Sequence, residues 1–205
     1  PVAHLTAWAA VASLEDANRL LGLAHRQLGA SLTGFEVMNQ FALSLVAKHY
    51  PHLRVPMWQE HAWCVLLDAS DNESEAHARG LFERLLESAF VADAIVAESL
   101  KQVHDLWHIR ESITLAQVGE GHNVKHDIAI AVSRIPEFVR QADAALAAAL
   151  PGVRFVNFGH LGDGNLHYNI QAPADCDAKA YVQAHEAQIS AIVYDTVSQF
   201  AGSIS

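Results

Sequence analysis

Gly159-His160-Leu161-Gly162-Asp163-Gly164-Asn165-Leu166-His167-Tyr168-Asn169 sets two histidines at the ends of a glycine-rich turn between two apolar runs. Val153 to Phe158 and Leu166 to Ile170 predict strands, and the Gly-Asp-Gly-Asn between them predicts the turn of a hairpin. His160 then closes one strand and His167 opens the next. Because side chains alternate along a strand, His167 and Asn169 share one face while Leu166, Tyr168 and Ile170 take the other. One face of the hairpin is core and the other is polar. Two imidazoles so placed can share an ion, yet their spacing is not a standard zinc-finger spacing and two ligands fall short of the three protein groups of a catalytic zinc. Spacing alone leaves two readings open: a metal site, or a tight turn whose histidines cap strand ends.

Outward from the hairpin, strands and helices alternate. Val2 to Ala10 predicts a strand. Leu14 to Leu28 predicts a helix, opened by Ser13 with Asp16 three residues on and closed by Gly29. Leu32 to Met38 predicts a strand and Gln40 to His49 a helix. Ala62 to Ala69 follows as an apolar strand, then an Asp71-Asn72 turn and an amphipathic helix from Ser74 to Ser88. Ala89 to Ala97 predicts a strand, Leu100 to Val118 a long helix, Val124 to Val132 a strand and Ile135 to Leu150 a helix. After the hairpin, a last helix runs from Asp177 to Phe200. The repeated βαβ spacing predicts an α+β fold of ferredoxin-like units, an antiparallel sheet with helices packed on one face.

With 205 residues and 51% hydrophobic content, the chain can bury a sizeable core. No apolar run reaches the roughly 18 to 20 residues of a membrane span. The start at Pro1 has neither an initiator Met nor a charged leader, and is read as a cut point. A formal net charge of -10 argues against nucleic acid or an anionic membrane as partner, so an anionic ligand would need a local cluster of cations. Cys64 and Cys176 are far apart and form no CxxC pattern, which points to a reducing compartment. Most of the 13 histidines stand in polar or amphipathic surroundings, as boundary residues do.

A second constellation is Trp107-His108-Ile109-Arg110-Glu111-Ser112-Ile113-Thr114 on the long helix. Arg110 and Thr114 are one turn apart on one face. A guanidinium pairs with a carboxylate through two bonds, and a hydroxyl one turn away can take a further oxygen of the same group. An arginine on a solvated helix face is the competing reading. Lys125 opens the strand Val124-Lys125-His126-Asp127, where it is either an edge charge or a second cation of a pocket.

These motifs together are specific. GHLGDGNLHYN resembles the signature of the C-terminal domain of FAD-linked oxidases and dehydrogenases acting on D-2-hydroxy acids, flavoproteins of the vanillyl-alcohol-oxidase type. WxxRExIT, the Lys-X-Asp strand and Glu36-Val37-Met38-Asn39 are similar to segments of the same family, and the likeness covers nearly the whole chain. The resemblance implies that Arg110, Thr114, Lys125 and Asn169 bind substrate and that His160 and His167 hold a divalent metal, with zinc favoured. It implies FAD as cofactor, bound mainly by a preceding flavin-binding domain that is absent here and would be a partner within the same polypeptide. Family members continue past Gly-Ser-Ile-Ser with an Ala-Glu-His-Gly segment, whose Glu is the third metal ligand and whose His is a candidate base. Both would lie beyond Ser205, so no catalytic residue is named within this sequence. The expectation is a substrate- and metal-binding domain, residues 1–205, truncated at its C-terminus and inactive as an isolated piece. Two cations, Arg110 and Lys125, suit a diacid such as D-2-hydroxyglutarate better than a monoacid such as D-lactate. The implied location is bacterial cytoplasm or mitochondrial matrix, and self-association into a homo-oligomer stays open. Two further readings remain beside this one: a non-catalytic module for a small ligand or metal, and a dimerisation domain whose histidines are turn residues.

Overall fold

Local signals place most element ends. The computed structural model describes residues 3–71 and 74–204. Strand β1 (Ala3–Val11) leads into helix α1 (Leu14–Leu28), where the Ser13 hydroxyl accepts from Asp16 N at 3.1 Å. Then come β2 (Leu32–Asn39), α2 (Gln40–His49), β3 (Trp63–Asp71), α3 (Glu75–Leu86) and β4 (Asp93–Val96). The second half holds α4 (Leu100–Glu120), β5 (Asn123–Val124), β6 (Asp127–Ala129), α5 (Ile135–Ala149), β7 (Arg154–His160), β8 (Asn165–Gln171), α6 (Ala178–Gln199) and β9 (Ser203–Ile204). Side chains of Asn39, Ser74, Ser99 and Asp177 cap α2, α3, α4 and α6 by accepting from first-turn N–H groups.

Among the described residues, nine strands join one sheet in the order β4-β1-β3-β2-β7-β8-β6-β9, with β5 also on β8, and the pairings are antiparallel. The order contains the same motif twice. β1-α1-β2-β3-α3-β4 and β6-α5-β7-β8-α6-β9 each place their first strand between their fourth and third. These are the two expected ferredoxin-like units. They meet at a short seam between β2 and β7, where Glu36 faces His160, Val37 faces Gly159 and Met38 faces Phe158.

The α+β class and antiparallel sheet are as expected, but helices cover both faces. On one face α1, α3, α5 and α6 pack their apolar sides on Ala7, Val37, Val65, Leu67 and Tyr168. On the other, α2 and α4 bury Leu43, Val46, Leu106, Ile109 and Ile113 against Trp8, Met38, Leu66 and Phe158. The two extra helices lie outside the ferredoxin-like repeat: α2 is inserted between β2 and β3, and α4 links the two units. Strands with apolar residues in successive positions, such as Cys64-Val65-Leu66-Leu67, need cover on both sides.

Two expected strands are shorter. The Ala89 to Ala97 segment is extended only from Asp93, because Ser88 to Val91 closes a turn through Val91 N donating to Ser88 O. The Val124 to Val132 segment is interrupted at Lys125-His126 and ends at Ala129, before the short helical turn Val132–Arg134. The expected Asp71-Asn72 turn falls at the limit of the described residues: Asp71 ends β3 and Asn72 lies outside them.

The end of α4 is pinned by one carboxylate. Glu120 Oε2 accepts from Lys48 Nζ at 2.6 Å and lies 3.0 Å from His49 Nε2, while Oε1 accepts from Arg154 Nη1 at 2.7 Å. Burial alone would raise the carboxyl, but the bonds from Lys48, His49 and Arg154 outweigh it and hold the group at about 2. The stabilisation this gives is complete above the ordinary carboxylate range near 4.5 and is lost as pH falls through it towards about 2. We expect Glu120→Gln to cost ~1–3 kcal/mol at neutral pH in urea unfolding. Wild type should lose that advantage over the variant between pH 4.5 and 2; a constant difference across this interval would contradict the assignment.

Candidate functional site

The sheet face under α4 carries the polar residues, centred on the seam. Glu36 stands in the apolar strand Phe35-Glu36-Val37-Met38 and is fully buried, at 0% exposure. Its Oε2 accepts from Arg110 Nε at 2.6 Å, and Oε1 lies 2.5 Å from His160 Nδ1. This second contact is an ion-pair approach off the axis of an aligned hydrogen bond, and among the described residues no other donor reaches that oxygen. The Arg110 guanidinium lies over the Phe158 ring, 4.8 Å from its centroid. On the far side of Phe158 comes His167, ring centroids 4.7 Å apart. His167 Nδ1 donates to Asp127 Oδ1, its cross-strand partner. One turn before Arg110, Trp107 Nε1 donates to Asp68 Oδ2 at 3.0 Å, and Asp68 Oδ1 accepts from Thr6 at 2.5 Å.

Each of the two hairpin histidines thus has its Nδ1 against a carboxylate. A carboxylate only accepts, so a proton on either Nδ1 faces an acceptor, and Nε2 is the ring nitrogen turned away from it. The side chains are 53% (His160) and 33% (His167) exposed. A carboxylate on Nδ1 is the support that imidazoles in metal sites commonly have. Among the described residues, no three His, Cys, Asp or Glu side chains already converge on one point.

The predicted substrate residues separate into two groups. Arg110 and Thr114 share one face of α4; Arg110 is held at its Nε alone among the described residues, and Thr114 is exposed. Lys125 is exposed at the corner between β5 and β6. Asn169 is buried, and both its polar atoms are engaged: Oδ1 accepts from His126 N at 3.1 Å and Nδ2 donates to Gln117 Oε1 at 3.0 Å. Those bonds explain the interrupted strand. The Tyr168 carbonyl accepts from the His126 ring at 2.9 Å in place of a backbone N–H, and the His126 N–H goes to Asn169 instead. Burial pushes His126 below its usual value, outweighing its bond to Tyr168 and the charges of Asp127 and Glu186. The neutral ring then takes Ser190 Oγ on Nε2 at 3.1 Å.

Sequence reasoning did not single out Glu36, Asp127, Phe158 or Gln117. Glu36 carried a signal, a charge inside an apolar strand, which is uncommon unless paired. The thiols take no part: burial pushes Cys64 up to about 12, and Cys176 is exposed. Two large clefts, of about 770 and 720 Å³, lie along α1 and α5 and beside the start of α4, and neither is lined by His160, His167 or Arg110.

An antiparallel sheet of two ferredoxin-like units with an Arg and two His on its polar face defines the class of α+β scaffold to which the chain belongs. Residues 1–205 match FAD linked oxidases, C-terminal domain, and the chain belongs to that family. It is 34% identical over 176 residues to D-2-hydroxyglutarate dehydrogenase of Xanthomonas citri, covering 85% of this chain and 36% of that protein. To the mitochondrial D-2-hydroxyglutarate dehydrogenase of Danio rerio it is 33% identical, covering 87% of this chain and 32% of that protein. A putative mitochondrial D-lactate dehydrogenase of Schizosaccharomyces pombe is 29% identical, covering 100% of this chain and 40% of that protein. The chain thus spans about a third of the length of these relatives. Among solved structures, p-cresol methylhydroxylase superposes with a TM-score of 0.68 at 8% identity, over 98% of this chain and 44% of that one. Alkyldihydroxyacetonephosphate synthase gives 0.56 at 10% identity, over 100% of this chain and 40% of that one. These two likenesses establish the fold.

The hairpin turn rests on Gly164, which has φ +71° and whose Cβ would stand 2.4 Å from Ile130 O. Gly164→Ala should lower stability by ~1–3 kcal/mol. Gly162→Ala meets nothing nearer than Leu21 Cδ1 at 4.0 Å and should change it by less than about 0.5 kcal/mol. Equal effects of the two in thermal unfolding would refute this account of the turn.

Proposed function

We propose that the chain is the substrate- and metal-binding domain of an FAD-dependent D-2-hydroxy acid dehydrogenase, with D-2-hydroxyglutarate the favoured acid and D-lactate next. The observation that carries this reading is the pair of carboxylate-supported imidazoles, Glu36–His160 and Asp127–His167, beside the Arg110 guanidinium on one sheet face. The family is FAD-linked, and the names of relatives from bacteria and mitochondria favour the diacid and a cytoplasmic or mitochondrial-matrix setting.

His160 and His167 would hold a divalent ion, zinc in this reading, through Nε2, with the remaining positions filled from outside these residues and by the acid. Such an ion lowers the pKa of a bound hydroxyl, and FAD supplies the hydride acceptor. The chain's own contribution is binding and orientation. Arg110 keeps both terminal nitrogens for a carboxylate because Glu36 takes only its Nε, and Phe158 supports the guanidinium plane. Thr114, one turn on, offers a hydroxyl to the same group. Lys125 offers the second cation from its corner. Asn169 fixes that corner through His126 N and Gln117, and its Nδ2 and Oδ1 each keep a second bonding capacity for the acid.

In an intact enzyme carrying this domain, Arg110→Lys is expected to raise KM at least about tenfold although the charge is kept, since lysine lacks the two-bond fork. Lys125→Met should lower kcat/KM for D-2-hydroxyglutarate about tenfold more than for D-lactate. Equal losses for both acids would place Lys125 at the shared carboxylate end and remove the preference for a diacid.

A further inference from the structure

Glu36 has no local reason to be where it is. Between Phe35 and Val37 and beside Met38, an apolar side chain would be at least as stable, because taking a carboxylate out of water costs more than an ion pair usually returns. Yet this carboxylate divides its oxygens between the two functional groups of the site. Oε2 accepts from Arg110 Nε at 2.6 Å, and Oε1 lies 2.5 Å from His160 Nδ1 with no other donor among the described residues. Asp127, by contrast, serves His167 alone among the described residues.

Resting on the function proposed above, we propose that Glu36 is the positioning residue of this site: one buried carboxylate orients both the guanidinium that receives the acid and the imidazole that holds the metal. Its grip on Nε turns the terminal edge of Arg110 outward, with Phe158 beneath. Its claim on Nδ1 makes His160 the Nδ1–H tautomer and leaves Nε2 as the electron-pair donor. An isolated neutral imidazole favours the opposite form, so the tautomer is a direct sign of this role. The carboxylate also spans the seam between the two ferredoxin-like units, since Glu36 is on β2, His160 on β7 and Arg110 on α4.

The test uses this chain, wild type and Glu36→Gln, with zinc ion as the added ligand. In wild type, nitrogen NMR should find His160 as Nδ1–H and the Arg110 Nε–H protected from exchange. In folded Glu36→Gln, His160 should revert to Nε2–H, the Arg110 protection should vanish, and calorimetric zinc affinity should fall about 10- to 100-fold. A merely structural glutamate would change unfolding but leave tautomer and zinc affinity alone, and that result overturns the proposal. So does a wild-type His160 in the Nε2–H form. If the variant does not fold, the two wild-type signals decide by themselves. If wild type binds no zinc with only these two imidazoles to hold it, tautomer and exchange decide the role of Glu36.

Discussion

A carboxylate sealed from water must be matched by positive charge, and in this protein that requirement falls at the weakest join of the sheet. The two ferredoxin-like units share only a short run of pairs between β2 and β7, and Glu36 stands in it. To satisfy Glu36, Arg110 must reach down from α4, which fixes the helix above the seam. The helix is tied again by Trp107 on Asp68 of β3, by Gln117 on Asn169 of β8, and by Glu120 on α2 and β7. These ties reach strands of both units. The linker helix is thus a clamp, and the groups that would bind an acid are carried on the element that holds the two units together.

The same economy is visible at the β5–β6 corner. Asn169 and His126 exchange side-chain bonds for backbone ones, so the strand is interrupted without a change of register: Val124 faces Ile170 and Asp127 faces His167 on one continuous ladder. The interruption leaves Lys125 exposed at the corner while Asp127 stays paired for His167.

What could be read in sequence was what is decided locally. Ser13 and Gly29 bounded α1, and Gln40 to His49 was a helix with both ends in place, because caps and apolar periodicity act within one or two turns. The alternation Leu166-His167-Tyr168-Asn169-Ile170 assigned core and polar faces, and Leu166, Tyr168 and Ile170 are indeed core. What was not legible depends on partners far along the chain. The break after Val124 is made by Asn169, 43 residues from His126, and the second helical layer exists because α2 and α4 cross to the face that the repeat leaves open. Glu36 was quoted only as part of a motif, since its role depends on Arg110, 74 residues away.

The sheet alone does not choose a substrate. Proteins at 8% and 10% identity share this architecture while bearing names that refer to a cresol and to an alkyl phosphate synthesis. Chemistry on such a scaffold must therefore reside in a few polar side chains on a rigid face. Here they project from β2, β6 and β7–β8, strands backed on the other side by Val37, Ile128, Leu166 and Tyr168 in the core. Ladder hydrogen bonds and packing hold those strands in place, so Glu36, Asp127, His160 and His167 are positioned before any ligand arrives. Arg110 and Lys125 differ in this respect, since one is anchored by a buried carboxylate and the other stands in solvent at a corner. On the proposed function, an acid meeting this face would find one preset cation and one adjustable cation, an arrangement suited to fixing one carboxylate while the distal one varies.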